Sequence, residues 1–141
     1  MKEYVLDANA LVRYFRRTAG FATVENLFQQ AKAGRAHLSI SVVNLTEVIC
    51  VLAHYFGQEQ TLRYIEISRR ATETHAVTES VAMDTAILRI RYKLGLADCF
   101  AAELAMRTGA TLVTADPEFA KLGKQLKVLA LPRYSPSSRT T

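Results

Sequence analysis

Glu3-Tyr4-Val5-Leu6-Asp7-Ala8-Asn9 is the stretch whose reading decides the fold: a short run of β-type apolar residues ends abruptly in an acid, and a helical pattern follows at once. The same sequence of events recurs near the other end of the chain, where Thr111-Leu112-Val113-Thr114 runs into Ala115-Asp116-Pro117-Glu118. Between the two, β-type segments alternate with longer stretches at helical spacing, the pattern of βαβ units on a parallel sheet. Strands are predicted over 3–6, 37–41, 74–77, 111–114 and 126–129, and helices over 9–17, 22–33, 42–56, 58–71, 78–93, 97–107 and 117–122.

The breaks fall where the chemistry of turns wants them. Thr18-Ala19-Gly20 separates the first two helices, Gly34 stops the second, which carries Val24, Leu27, Phe28 and Ala31 on one side, and Gly57 separates the third from the fourth. Leu62 and Ile65, with the stem of Arg69, form the apolar side of the fourth helix; Val81, Ala82, Ala86, Leu88 and Ile90 mark the fifth. No internal repeat is visible. Residues 132–141 are a Pro/Ser/Thr stretch expected to be a disordered tail beyond a single domain over 1–131.

A chain of 141 residues fits one domain, able to remove about two-thirds of its unfolded surface from water without staples. Half of it is hydrophobic and 22% charged, which is ordinary for a globular protein. Cys50 and Cys99 sit among apolar neighbours without metal or redox spacing, so both read as reduced core thiols in a reducing cytosol. An acid arrives after three apolar residues at the N-terminus, and no apolar run approaches the roughly 18 residues of a membrane span, so a soluble cytoplasmic protein is expected. The formal charge of +5 suits a polyanionic partner, with basic clusters at Arg13/Arg16/Arg17, Arg69/Arg70, Arg89/Arg91/Lys93 and Lys121/Lys124/Lys127; solvated helix faces explain each cluster equally.

Four acids interrupt apolar surroundings. Asp7 and Asp116 fall at strand carboxyl ends, the edge of a parallel sheet where ligand crevices form. Glu47 lies within Val42-Val43-Asn44-Leu45-Thr46-Glu47-Val48-Ile49, a helix apolar enough to be largely buried, and Asp98 within Leu94-Gly95-Leu96-Ala97-Asp98-Cys99-Phe100. Two unit charges about 4 Å apart repel by roughly 4 kcal/mol at an effective dielectric near 20, so converging carboxylates take up protons unless a cation joins them. His37, His54 and His75 are scattered and no Cys/His ligand set exists, so an all-oxygen site points to Mg²⁺ or Mn²⁺ rather than zinc. Such cations, held by a few carboxylates, are the usual apparatus of phosphate-ester chemistry. Structural readings stand beside this one: Asp116 with Pro117 behind it is a strong helix cap, Asp98 can cap the next helix, and Asp7 can end a strand in a turn. Asp84 and Glu103, also in partly apolar helices, read as solvated.

Taken in order, Val5-Leu6-Asp7-Ala8-Asn9, Leu45-Thr46-Glu47-Val48, Ala97-Asp98-Cys99-Phe100-Ala101-Ala102 and Leu112-Val113-Thr114-Ala115-Asp116-Pro117-Glu118-Phe119 resemble the motifs of the PIN-domain nucleases. In size and spacing the resemblance is to the VapC-type toxins of prokaryotic toxin–antitoxin pairs, and it spans 4–131. It implies a three-layer α/β/α sandwich on a parallel sheet, with Asp7, Glu47, Asp98 and Asp116 as metal-binding and catalytic residues and Asn9 and Thr114 orienting ligands or water. Asn9 stands where such proteins often carry Ser or Thr, and Glu118 where a further Asp is frequent. The implied activity is Mg²⁺-dependent cleavage of single-stranded RNA, with Arg13, Arg16 and Arg17 helping to hold the strand. The implied partners are a small antitoxin and a second copy of the chain, for which Val48, Leu52, Tyr55, Phe56, Leu62 and Ile65 are candidate contacts or, alternatively, core.

Two other readings remain open. An Asp after the first strand also suits a phosphotransfer domain of receiver or dehalogenase type, although the latter wants a second Asp where Asn9 stands. A non-catalytic RNA- or partner-binding module is the other, set against the repulsion that four carboxylates exert on phosphate without a metal between them.

Overall fold

The computed structural model describes residues 1–133. In chain order it contains β1 (Lys2–Leu6), α1 (Ala8–Arg16), α2 (Phe21–Lys32), β2 (Ala36–Ser41), α3 (Val42–Arg69), β3 (Thr72–His75), α4 (Glu79–Tyr92), α5 (Leu96–Thr108), β4 (Thr111–Thr114), a 3₁₀ stretch (Pro117–Gln125) and β5 (Lys127–Ala130). All five strands are parallel, in the order β3-β2-β1-β4-β5. The chain winds outward from β1 to β2 and β3, then returns to the other side of β1 for β4 and β5. The winding reverses between β1 and β4, and there the loops leave a crevice beyond the strand ends.

Successive residues of a strand face opposite sides of the sheet, so β1 and β4 each feed two cores. Leu6 and Val113 pack with Ala10, Leu11, Val24, Leu27, Phe28, Val48 and Leu52 from α1, α2 and α3. Val5 and Leu112 pack on the other side with Cys99, Ala102, Leu104, Phe119 and Leu122 from α5 and the 3₁₀ stretch. This is the three-layer α/β/α sandwich that the resemblance implies, on the parallel sheet that the alternation predicts. Among the described residues no helix is long and apolar enough to cross a membrane.

Several expectations change. Gly57, at φ 79° and ψ 165°, leaves helical geometry inside α3 and divides it where two separate helices are predicted. β3 lies two residues earlier than expected, at Thr72–His75, because its polar residues are placed by pairing with β2 and not by an apolar pattern. Of the candidate interface residues, Val48, Leu52 and Ile65 belong to the core, Phe56 packs against it, and only Tyr55 and Leu62 are exposed. Ile90 is 75% exposed, so the apolar side assigned to α4 is not its buried side. Cys50 is exposed while Cys99 is buried, because burying Val48 and Leu52 turns position 50 outward. Glu103 is buried and bonded to Arg107 through two nitrogen–oxygen contacts of 2.7 and 3.2 Å, so it is not a solvated acid. Of the expected tail over 132–141, all but the first two residues lie outside the described residues.

Candidate active site

The switch crevice is built from the first residues of several helices. Asp7 leaves β1 in extended geometry and caps α1, its Oδ1 accepting a hydrogen bond from the Ala8 N–H at 2.9 Å. Asp116 leaves β4 and caps the 3₁₀ stretch, its Oδ1 accepting from the Glu118 N–H at 2.9 Å. Asp98 lies in the first turn of α5, the third residue of a helix that starts at Leu96 without a side-chain cap. The capping readings of Asp7 and Asp116 therefore hold together with a place in the crevice, and that of Asp98 does not. Helix N-termini carry partial positive charge, which favours the acids but does not neutralise them.

Asp7 is 2% exposed and held from three directions. Its Oδ2 accepts from the Thr114 hydroxyl at 2.7 Å and from Asn9 Nδ2 at 2.9 Å. Thr114 Oγ1 in turn accepts from Asn9 Nδ2 at 3.1 Å and from the Asp116 N–H at 3.0 Å, while Asn9 Oδ1 accepts from the Ala115 N–H at 3.0 Å. Asn9 and Thr114 thus lock the ends of β1 and β4 together and fix the orientation of the buried carboxyl.

Electrostatics bind the four acids into one cluster. Burial pushes the Asp7 carboxyl up to about 6, against the hydrogen bonds from Thr114 and Ala8, and the charges of Glu47 and Asp116 add to the rise. Asp98 is pushed up to about 7, first by burial, then by the charges of Asp7, Asp116 and Glu47 and a hydrogen bond shared with Asp116. Among the described residues none of the ion pairs reaches any of the four. Glu47 differs from expectation in being exposed, at the mouth of the crevice rather than within the core, because the buried face of α3 runs through Asn44, Val48 and Leu52.

A cation fits this donor set, whose free atoms are carboxylate oxygens. Among the described residues no three His, Cys, Asp or Glu side chains converge tightly enough to enclose a metal by themselves.

The arginines lie elsewhere. Arg13 Nη1 donates to the backbone carbonyls of Ala19, at 3.1 Å, and Pro132, so its charge is spent on the fold. Arg16 lies over the ring of Tyr55 at 3.6 Å and Arg17 over Phe21 at 5.0 Å, at the end of α1 about 14 Å from its acidic cap. Asn44 was not singled out from sequence, yet its Nδ2 donates to Glu47 Oε1 at 3.1 Å and to the Ala97 carbonyl at 3.0 Å. The available signal was its position three residues before Glu47, one helical turn away.

A parallel α/β sandwich with acids gathered at its switch point defines the class of this protein. The chain belongs to the PIN-domain family, a family of nucleases: the model described as PIN domain matches residues 4–125. None of the curated proteins matches it in sequence. Its fold is similar to that in a structure of VapBC2 from Rickettsia felis bound to a promoter DNA fragment, at a TM-score of 0.73 and 22% identity, covering 92% of this chain and 98% of that one. DNA-bound VapBC from Salmonella typhimurium aligns at 0.72 and 19% identity, covering 92% and 98%. VapC20 of Mycobacterium tuberculosis, described as a sarcin-ricin loop cleaving toxin, aligns at 0.68 and 15% identity, covering 85% and 95%.

Proposed function

We propose that this protein is a metal-dependent endoribonuclease, the toxin of a type II toxin–antitoxin pair, acting in the cytoplasm. The observation that carries the reading is the crowding at the switch point: Asp98 is raised by the charges of Asp7, Asp116 and Glu47 together, a state that a bound cation relieves. Asp7, Asp98, Asp116 and Glu47 would hold Mg²⁺ or Mn²⁺, which when bound supplies an activated water and charge neutralisation at the scissile phosphate. Thr114 and Asn9 keep the Asp7 carboxylate in a single orientation through the bonds described above. Arg16, at the far end of α1 from Asp7, offers positive charge to a substrate backbone that runs on beyond the crevice.

The test is incubation of the purified protein with RNA and Mg²⁺, with and without EDTA. Cleavage that chelation abolishes and that Asp7→Asn eliminates is expected; undiminished cleavage by Asp7→Asn sinks the assignment.

The VapBC relatives support a small antitoxin as partner. For a second copy of the chain, α4 supplies a surface in addition to the exposed Val51, Tyr55 and Leu62 of α3: Met83, Ile87 and Ile90 form an exposed stripe along one side of the helix. Antiparallel pairing of two such helices sets Ile87 on its own copy and Met83 on Ile90. Ile87→Glu should yield a monomer by light scattering, and an unchanged dimer mass excludes this face.

A further inference from the structure

We propose that Asn44 is a positioning residue of the acid site, clamping Glu47 against the turn of α5 that carries Asp98; this rests on the metal-dependent nuclease reading. Asn44 is 0% exposed, on the first turn of α3. Both N–H groups of its amide are used, one on Glu47 Oε1 at 3.1 Å and one on the Ala97 carbonyl at 3.0 Å, so it ties the start of α3 to the turn of α5 that carries Asp98. Its Oδ1 is buried and has no hydrogen-bond partner.

The orientation of the amide follows from its neighbours. Turning it over would set Oδ1 against a carboxylate oxygen and a carbonyl oxygen, acceptor against two acceptors, so the nitrogen faces them and the oxygen is left over. A buried acceptor without a donor costs free energy until one arrives. The two donated bonds therefore fix the side chain in one orientation, with Glu47 held on the nitrogen side. Glu47, exposed at the crevice mouth, is otherwise a mobile carboxylate on one turn of helix. Asn44 converts it into a fixed one.

The experiment measures Mg²⁺ affinity by calorimetry, beside kcat and KM on one RNA, for the parent chain, Asn44→Leu and Asn44→Thr. Leu fills similar space but removes both the clamp and the acceptor; Thr keeps one donor and one acceptor. Asn44→Leu should bind Mg²⁺ at least about tenfold more weakly and lose kcat by a similar factor. KM for RNA should stay within about twofold, since the side chain does not reach the substrate, and Asn44→Thr should recover most of both losses. Mg²⁺ affinity and kcat in Asn44→Leu within about twofold of the parent overturn the proposal and leave the nuclease reading standing. Should Asn44→Leu not fold, Asn44→Ala decides: Mg²⁺ affinity and kcat lower than the parent's by more than about twofold support the clamp, and values within about twofold of the parent's overturn it. A parent chain that binds no Mg²⁺ and cuts no RNA overturns both readings together.

Discussion

The sheet carries two clusters of acids, and they are settled in opposite ways. At the carboxyl edge, Asp7, Glu47, Asp98 and Asp116 crowd together, and none of the ion pairs among the described residues reaches them. On the open face of β1, β2 and β3, Glu3 and Glu73 flank His37, with contacts of 3.1 Å to Nδ1 and 2.9 Å to Nε2, and His75 approaches Glu73 at 3.5 Å. His75 also meets Ser39 at 3.1 Å. Strand pairing makes this second cluster: Glu3 sits beside His37 in the register, and Ser39 beside Glu73. One cluster is closed by polar contacts among its own side chains, and the other leaves its charges to be met from outside. The first kind of arrangement stabilises a fold, and the second destabilises it in return for a site.

The largest expected effect separates the two directly. Asp98→Asn should lower RNA cleavage by roughly 100-fold or more, because it removes a carboxylate from the metal's donor set. The same change should raise the stability of the metal-free protein at pH 7.5. Asp98 is held up to about 7 by burial and by three neighbouring charges, and the amide carries no charge to repel them while it can still donate to Asp116. For a partly exposed group the gain is about 1 kcal/mol after screening, or about 3 °C in Tm. A variant that loses activity and also melts lower would show that Asp98 holds the fold together rather than straining it.

Titration sharpens the contrast. Asp7 and Asp98 bind protons more readily in the folded chain than in the unfolded one, their carboxyls being pushed up to about 6 and about 7. The folded state therefore holds extra protons above the ordinary carboxylate range. Stability is full below about pH 4 as far as these two groups are concerned, and it is lost as pH rises through 6 and 7. Metal-free protein should melt progressively lower from pH 5 to pH 8, and millimolar Mg²⁺ should restore the upper end of that range. A melting temperature indifferent to Mg²⁺ at pH 8 breaks the comparison, because the acids then need no imported charge.

How much of this was legible in the sequence follows from the range of the contacts involved. The two strands that carry Asp7 and Asp116 are plain because Val5 and Leu6, and again Leu112 and Val113, are buried on opposite faces, so local composition and tertiary burial agree. α4 was misjudged on its face because its burial is set by α5: only Thr85 is fully buried, and the stripe of Met83, Ile87 and Ile90 is left outside. Glu47 was judged buried from its neighbours, but an apolar flank does not fix which side of a helix a residue takes. Asn44 and Arg13 depend on partners far away in sequence, Ala97 and Pro132, and no local pattern encodes such a pairing.

The arginines give an intermediate effect that divides along the same line. Arg13, bonded to the Ala19 and Pro132 carbonyls, should on replacement by Ala cost about 1 to 2 kcal/mol of stability and leave RNA affinity nearly unchanged. Arg16, stacked on Tyr55 at the surface, should on replacement by Ala raise KM several-fold and reduce the salt dependence of RNA binding by about one counterion, with kcat intact. Reversed results would move the RNA path onto Arg13 and away from the Tyr55 surface.

The smallest effect tests the cluster closed by its own side chains. Glu73→Gln removes the charge that faces both His37 and His75, yet keeps an oxygen and nearly the same shape. The groups are largely solvated, so the ion pairs contribute little: a loss of about 0.5 kcal/mol is expected, close to 2 °C in Tm, with RNA cleavage unaltered.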